Sequence, residues 1–298
     1  MDLATVVQKT REYDKIMEMR HVNDGLHTIP PSGFVFHESR VGSTLVANSL
    51  TAMDPAAHRV YSESHPMNDA LKENSSDMDA NIQLLRDVVY LMGRTSSAEE
   101  NQLFFKVSSV GSKRIHFMQK AFPTVPWIFV YRDPVQTMMS HLDPSKLGNL
   151  RGKTPQAVCL RGKSHPPKDL IRLAMDHDVS LDELSYEEFC AAHLATLCES
   201  ALKGMKKSNG KGVAVEYDGL VEKLIQTVIP QHFGLDVDDA ARERIRNVAK
   251  TYSKSKTENR DWVEDSKTKD VGSTPKIRKA SDTFLDESYK ELGKFSIK

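Results

Sequence analysis

The chain is poor in cysteine, poor in tryptophan and without net charge: three Cys, two Trp, and 41 Lys plus Arg against 41 Asp plus Glu in 298 residues. Each shortage removes a class of protein. Cys159, Cys190 and Cys198 are odd in number and lack CxxC spacing, so neither a disulfide framework nor a structural zinc site is expected, and all three are read as free thiols. A balanced charge gives no global field for nucleic acid or a membrane surface, so any anionic ligand must be held by local charge. The opening stretch "MDLATVVQKTREYDKIMEM" mixes charges with apolar residues and has no uninterrupted apolar run. It supports neither a signal peptide nor a membrane span, and a cytoplasmic protein is expected. There is no internal repeat and no low-complexity tract.

What is present is an alternation of strands and helices. "GFVFH" (33–37), "HRVYS" (58–62), "LFFKV" (103–107), "PWIFVYR" (126–132) and the start of "KGVAVEYDGL" (211–220) are short apolar runs of strand length. Between and around them, helical spacing is found over 5–20, in "STLVANSLTAM", over 81–93 with Gly93 at its end, and in "SKRIHFMQKAF" and "PVQTMMSHL". It continues in "SYEEFCAAHLATLCESALKGM", where Ser185 and Glu188 form a capping-box pattern, then over 238–252 and near "FLDESYKELGKF". Strands joined by helices of this length imply an α/β fold with a mostly parallel sheet covered by helices on both faces. Ligands then sit at the carboxyl ends of the strands. One domain over residues 1–298 is expected, with a leading helix within 1–30 and an irregular, Gly- and Pro-rich insertion over 143–182. A polar stretch over 253–280 completes it.

The loop "FHESRVGSTL" (36–45) lacks one thing that matters more than the rest. In the ATP-binding pattern GxxxxGK(S/T), the glycines let backbone N–H groups wrap phosphate, the lysine reaches the β and γ phosphates, and the hydroxyl binds magnesium. Here Gly42, Ser43 and Thr44 fall on the last three places, Ser43 replacing the lysine and His37 the first glycine. As a nucleoside triphosphate site it is crippled. A strand, a turn with Gly42, two hydroxyls, a helix start and Arg40 still suit an anion. Equally, the loop could be a helix cap with Ser43 or Thr44 as capping residue. A second stretch, "YRDPVQTMMS", places Arg132 at a strand end, Pro134 in a first helical turn and Ser140 eight residues after the arginine. On its own it could be an Arg paired with a carboxylate and a serine bonded to its own helix.

Together the two stretches resemble the sulfotransferases that use 3′-phosphoadenosine 5′-phosphosulfate (PAPS), a family with a P-loop-like α/β architecture. There a first strand runs into (K/R)SGTTxL, which Arg40, Val41, Gly42, Ser43, Thr44 and Leu45 match in outline, and a later strand runs into RxPxxxxxS, which Arg132, Pro134 and Ser140 satisfy. "RVYSESHPMNDAL" is similar to a second-strand element of some members, and "VEYDGL" to a later strand-to-turn junction. The likeness weakens in the insertion and the tail. It implies that Arg40, Val41, Gly42, Ser43, Thr44 and Leu45 hold the 5′ end of the donor and that Arg132 and Ser140 hold its 3′ phosphate. The acceptor would be a small or medium-sized hydroxyl or amine, and no metal is implied. Lys106 and Arg40 are then candidate cations at the reacting centre. Where many members carry a catalytic histidine this chain has Ser108, which leaves Glu63 and His65, or neither, as the base, with Glu38 behind them.

Other features weigh less. Lys254, in the polar stretch "YSKSKTENRDWVEDSKTK", could cover the nucleotide or be part of a solvated loop. The repeated "LRGK" at 150 and 160 could meet an acidic acceptor but suits a solvated loop better, and Trp127 suits the core. His116 and His141 lack a second ligand at metal-binding spacing. A P-loop kinase or nucleotide hydrolase, and a nucleotide-binding descendant without turnover, remain as rivals.

Overall fold

The computed structural model describes residues 2–20, 25–72, 77–143, 157–251 and 272–298. Seven strands occur among them: β1 (His27–Thr28), β2 (Pro31–His37), β3 (His58–Ser62), β4 (Arg94–Thr95), β5 (Gln102–Lys106), β6 (Trp127–Tyr131) and β7 (Gly212–Glu216). Five of these form one sheet in the order β3-β5-β2-β6-β7, and every neighbouring pair in it is parallel. β1 and β4 make a small antiparallel ribbon beside it. The parallel sheet is what strand–helix alternation predicts, because a short crossover helix can only return the chain in the same direction.

Side chains alternate along each strand, so the sheet feeds two cores. Phe34, Phe36, Leu103, Phe105, Trp127, Phe129 and Tyr131 face one, which is covered by α4 (Met78–Met92), α5 (Ile115–Ala121), the long α8 (Tyr186–Lys207) and the C-terminal helices α11 (Pro275–Phe284) and α12 (Asp286–Lys294). Val35, Phe104, Ile128, Val130 and Val215 face the other, covered by α2 (Ser43–Met53), α9 (Leu220–Lys223), the wide helical segment Leu224–His232 and α10 (Asp239–Thr251). With both faces covered, β2 and β6 carry no polar alternation, as their sequences predict. The remaining helices are α1 (Leu3–Met19), α3 (His65–Lys72), α6 (Pro134–His141) and α7 (Lys168–Asp176). α8 begins with the expected capping box: Glu188 N–H donates to Ser185 Oγ at 3.2 Å and Ser185 N–H to Glu188 Oε2 at 2.9 Å.

Three expectations need correction. Cys159 and Cys190 are not free thiols: they form a disulfide, with Cα atoms 4.8 Å apart, while Cys198 stays reduced and buried. Their separation of 31 residues carries no signal in sequence, because only the fold-back of the intervening chain onto α8 brings them together. The stretch 143–182 is not irregular throughout, since α7 lies within it and buries Leu170, Leu173 and Ala174. Likewise α11 begins inside the expected polar stretch 253–280; Thr274 caps it by accepting from Ile277 N–H. Lys254 lies outside the described residues. No described helix is long and apolar enough to cross a membrane.

The position of α2 is fixed from its far end. Its last carbonyls accept side-chain donors from two other elements: His58 Nδ1 meets Leu50 O at 2.7 Å, Arg244 Nε meets Ala52 O at 2.8 Å, and Arg244 also reaches Met53 O. Arg244 comes from α10, so the packed pair α2–α10 is stapled as well as buried, and the start of α2 is aimed at the carboxyl ends of β2 and β6. On the other side, the edge of the sheet depends on Gly212, where a Cβ would come within 2.1 to 2.7 Å of the Trp127 ring. Trp127 is core, as expected, at 3 % exposure. Gly212→Ala is therefore expected to cost about 1–3 kcal/mol in urea unfolding, and a loss under about 0.5 kcal/mol would show that the tryptophan is free to move aside.

Candidate active site at the carboxyl edge of the sheet

β2 ends at His37, and the chain turns through an unusual backbone before α2. Ser39 (φ 74°), Arg40 (φ 64°) and Gly42 (φ 85°) all lie in the left-handed region. Non-glycine residues visit it at a cost of about 1 kcal/mol each, so two in succession mark a turn that its surroundings hold in place. Gly42 is the N-cap of α2 and makes no side-chain cap bond, so neither Ser43 nor Thr44 plays the capping role that was the plainer expectation. The first-turn N–H groups of Ser43, Thr44 and Leu45 have no partner within the helix. Arg40 adds a buried Nε with no hydrogen-bond partner among the described residues. Free donors, a helix N-terminus and a guanidinium fit a phosphate or sulfate group.

Gly42 has a second constraint. A Cβ there would sit 2.8 Å from two atoms of the Tyr217 ring and 3.0 Å from Leu220 Cδ2. Tyr217 follows β7, its N–H donating to Tyr131 O at 2.8 Å, and its ring lies across the turn. The opposite motif meets the same ring: the Arg132 guanidinium stacks on Tyr217 with its carbon 4.1 Å from the ring centroid. Arg132 is 3 % exposed, its Nε donates to Gln136 Oε1 at 2.8 Å, and its backbone N–H donates to Glu38 Oε1 at 3.0 Å. Ser140 is buried on α6, which begins with Pro134 behind an Asp133 cap. The two stretches thus meet at Tyr217 and at Glu38, one from β2 and one from β6.

On the other flank, β3 and β5 end side by side, with Ser62 paired to Lys106. Lys106 is 3 % exposed and its ammonium pairs closely with the Glu63 carboxylate, which is 46 % exposed. Glu63 is held by its backbone too: its N–H donates to Lys106 O at 2.7 Å, its carbonyl accepts from Asn68 Nδ2 at 2.9 Å, and its φ is 51°. His37 Nε2 lies 3.5 Å from Glu63 Oε1. The contact with His37, and then the charge of Lys106, draw the Glu63 pKa down to about 2. His65 starts α3 and is exposed, and Ser108 precedes a short 3-10 turn with its N–H 3.4 Å from Asn68 Oδ1.

Sequence reasoning named Arg40, Val41, Gly42, Ser43, Thr44, Leu45, Glu63, Lys106, Arg132 and Ser140, and all of these lie at or beyond the carboxyl ends of β2, β3, β5 and β6. It gave no role to Tyr217, which joins the halves, and none to His37 beyond the glycine it replaces. A usable signal existed: both sit at or just after the end of a strand in a parallel sheet, where ligand-facing residues gather. Among the described residues, cavities of about 430 and 470 Å³ along α1 and α4 lie elsewhere, the second bounded by Pro30, Pro31 and Phe122 at the amino ends of the strands.

No family model and no curated protein matches this chain. Solved structures do. A sulfotransferase from Mycobacterium avium is similar with a TM-score of 0.50 and 13 % identity, over 91 % of this chain and 78 % of that one. A sulfotransferase from Alicyclobacillus acidocaldarius gives 0.49 and 11 % identity over 89 % and 95 % of the two chains. Mouse sulfotransferase SULT7A1 complexed with PAP gives 0.46 and 12 % over 88 % and 86 %. At 13 % identity what the first of these shares with this chain is the fold alone, a P-loop-like α/β architecture.

Glu38 is a buried carboxyl at the centre of this edge, accepting from Arg132 N–H and from the Cys198 thiol at 3.3 Å. Burial pushes its pKa up from 4.5 to about 7, the Arg132 N–H bond only partly offsetting it. A carboxyl whose pKa is raised by folding costs stability when it ionises; the cost is absent below the ordinary pKa and complete above the folded one. Glu38→Gln is therefore expected to gain stability relative to the parent as pH rises from 4.5 to 7, by on the order of 1–3 kcal/mol. Thermal unfolding at pH 4 and pH 8 checks this, and an equal difference at both would contradict it.

Proposed function

We propose that this chain is a sulfotransferase that moves the sulfuryl group of PAPS to a hydroxyl or amine of a small or medium-sized acceptor. One observation carries the reading: a single aromatic ring, Tyr217, packs against the Gly42 turn and also stacks on Arg132. Two anion-binding elements at one edge of the sheet suit a donor with a 5′ phosphosulfate and a separate 3′ phosphate. The missing P-loop lysine fits the same donor, and the fold fits the reaction.

In this assignment Arg40 and the N–H groups around Gly42, Ser43 and Thr44 hold the 5′ end, with Val41 and Leu45 packed beneath the turn at 0 and 1 % exposure. Arg132 and Ser140 hold the 3′ phosphate, where a planar guanidinium gives charge-assisted bonds of fixed direction. When bound, PAPS supplies the sulfuryl group and a good leaving phosphate. Lys106 and Arg40 stabilise the charge that grows on the leaving side, the larger part of the catalytic effect in such reactions. Glu63 takes the acceptor proton, and His65 is set aside because it is exposed at the start of α3.

A carboxylate held at about 2 is a weak base at rest. Its acidity depends first on the His37 contact and then on Lys106, and drawing the lysine toward the donor's phosphosulfate would raise the basicity of Glu63 by removing the second of these.

Calorimetric titration with PAPS should give a donor affinity that Arg132→Ala weakens by about tenfold or more, from loss of a charge-assisted bidentate contact. Magnesium-ATP in the same cell should bind far more weakly. No PAPS binding, or binding indifferent to Arg132→Ala, would overturn the assignment. Glu63→Gln should keep donor affinity and lower turnover by roughly 10²–10⁴; a variant that keeps turnover would remove Glu63 from the chemistry.

A further inference from the structure

We propose that His37 is a positioning residue that ties the donor-binding turn to the Glu63 carboxylate, one ring nitrogen serving each. This rests on the sulfotransferase reading of the same site. His37 is 3 % exposed, and its Nδ1 accepts the Ser39 N–H at 2.9 Å. An accepting Nδ1 carries no proton, so the ring's proton is on Nε2. That nitrogen faces Glu63 Oε1 at 3.5 Å, within electrostatic range though with no hydrogen bond formed to it among the described residues. The backbone is pinned as well: His37 N–H donates to Ser112 Oγ at 3.2 Å, and Ser112 Oγ donates to His37 O at 2.9 Å. The imidazole has little room to slide toward either partner.

Each partner needs what the ring gives. The left-handed pair Ser39–Arg40 is a conformation that relaxes unless its N–H groups are occupied, and Nδ1 occupies the first of them. Glu63, itself at φ 51°, projects its carboxylate toward Lys106 from β5 and His37 from β2. Two strained turns from different strands therefore converge on one side chain. His37 does not serve as the base, because its only free lone pair is committed to Ser39. It stays neutral, and burial favours that state by lowering its pKa below the ordinary imidazole value. The charged groups facing it are Glu63 and Lys106, while Ser112, on its third side, is neutral. Protonating Nδ1 would turn an acceptor into a donor opposite the Ser39 N–H and open the turn.

The two functions are separable by side-chain reach. His37→Asn places an oxygen near the Nδ1 position and keeps the Ser39 bond, whereas His37→Gln extends its amide toward Glu63 and loses that bond. In the full chain, His37→Asn should hold the donor Kd within about threefold. It should lower kcat by about tenfold and move the acid limb of the kcat–pH profile upward, since Glu63 loses the contact that most lowers its pKa. His37→Gln should weaken the donor by about tenfold and leave the acid limb nearer its parent position. Variants that all lose donor affinity and kcat together, with no movement of the limb, would overturn the proposal. Nitrogen-15 NMR of the unmutated protein gives a test that needs no variant: His37 should be neutral with its proton on Nε2, and a proton on Nδ1 would overturn the assignment directly. The same spectrum separates the two claims, because an enzyme that binds no PAPS yet holds this tautomer refutes the sulfotransferase reading while leaving the His37 geometry intact.

Discussion

Contact between the Tyr217 ring and the bare Cα of Gly42 is the constraint on which the carboxyl edge of the sheet depends. Only a residue with no Cβ and with freedom at positive φ can sit beneath that ring. Because Gly42 fits, α2 can begin directly beneath β7's exit, and its first N–H groups are left without a cap. Because the ring is there, Arg132 has a flat apolar face on which to lie, and a buried guanidinium is kept in one orientation rather than many. Remove the close approach and both halves of the cleft lose their common wall. The stapling of α2 by Arg244 and His58 at its other end keeps that approach from relaxing.

A chain with no net charge builds this edge from local charge alone. Lys106 and Arg132 are both 3 % exposed, which would be costly if they stood unaccompanied. Lys106 has Glu63, and Arg132 has the tyrosine face and Gln136. Glu38 ties the first loop to β6 through the Arg132 N–H, so the loop that follows β2 and the strand that carries the second motif move together. The carboxylates differ by environment: Glu63, half exposed and beside His37 and Lys106, is strongly acidic, while Glu38, sealed against α8, titrates near 7. Opposite shifts in two carboxyls at one edge of the sheet leave them in different proton states at one pH.

Much of the fold was legible because it is written in local periodicity. β2, β3, β5, β6 and β7 fall where short apolar runs place them, and α8 starts at its capping box. The candidate site was legible where it follows a spacing, as with Arg40 to Leu45 and Arg132 to Ser140. It was illegible where it depends on contacts between distant segments. The Cys159–Cys190 bond, the Tyr217 ring over Gly42 and the His37–Glu63 approach all join residues at least 26 apart, and no periodicity reports them. α7 was hidden by the glycines and prolines around it, although its buried Leu170, Leu173 and Ala174 have helical spacing. Glu38 was read only as standing behind Glu63 and His65, since burial is a property of the packed chain.

The central claim is that the carboxyl edge of the sheet holds two phosphates at two separate places, one at the Gly42 turn and the other at Arg132 and Ser140. A crystal structure of the protein with adenosine 3′,5′-bisphosphate tests it most directly. One phosphate is expected against the N–H groups of Gly42, Ser43 and Thr44 with Arg40 beside it, and the other against Arg132 and Ser140. Density for both phosphates at a single one of these places, or away from the carboxyl ends of the strands altogether, would contradict the claim.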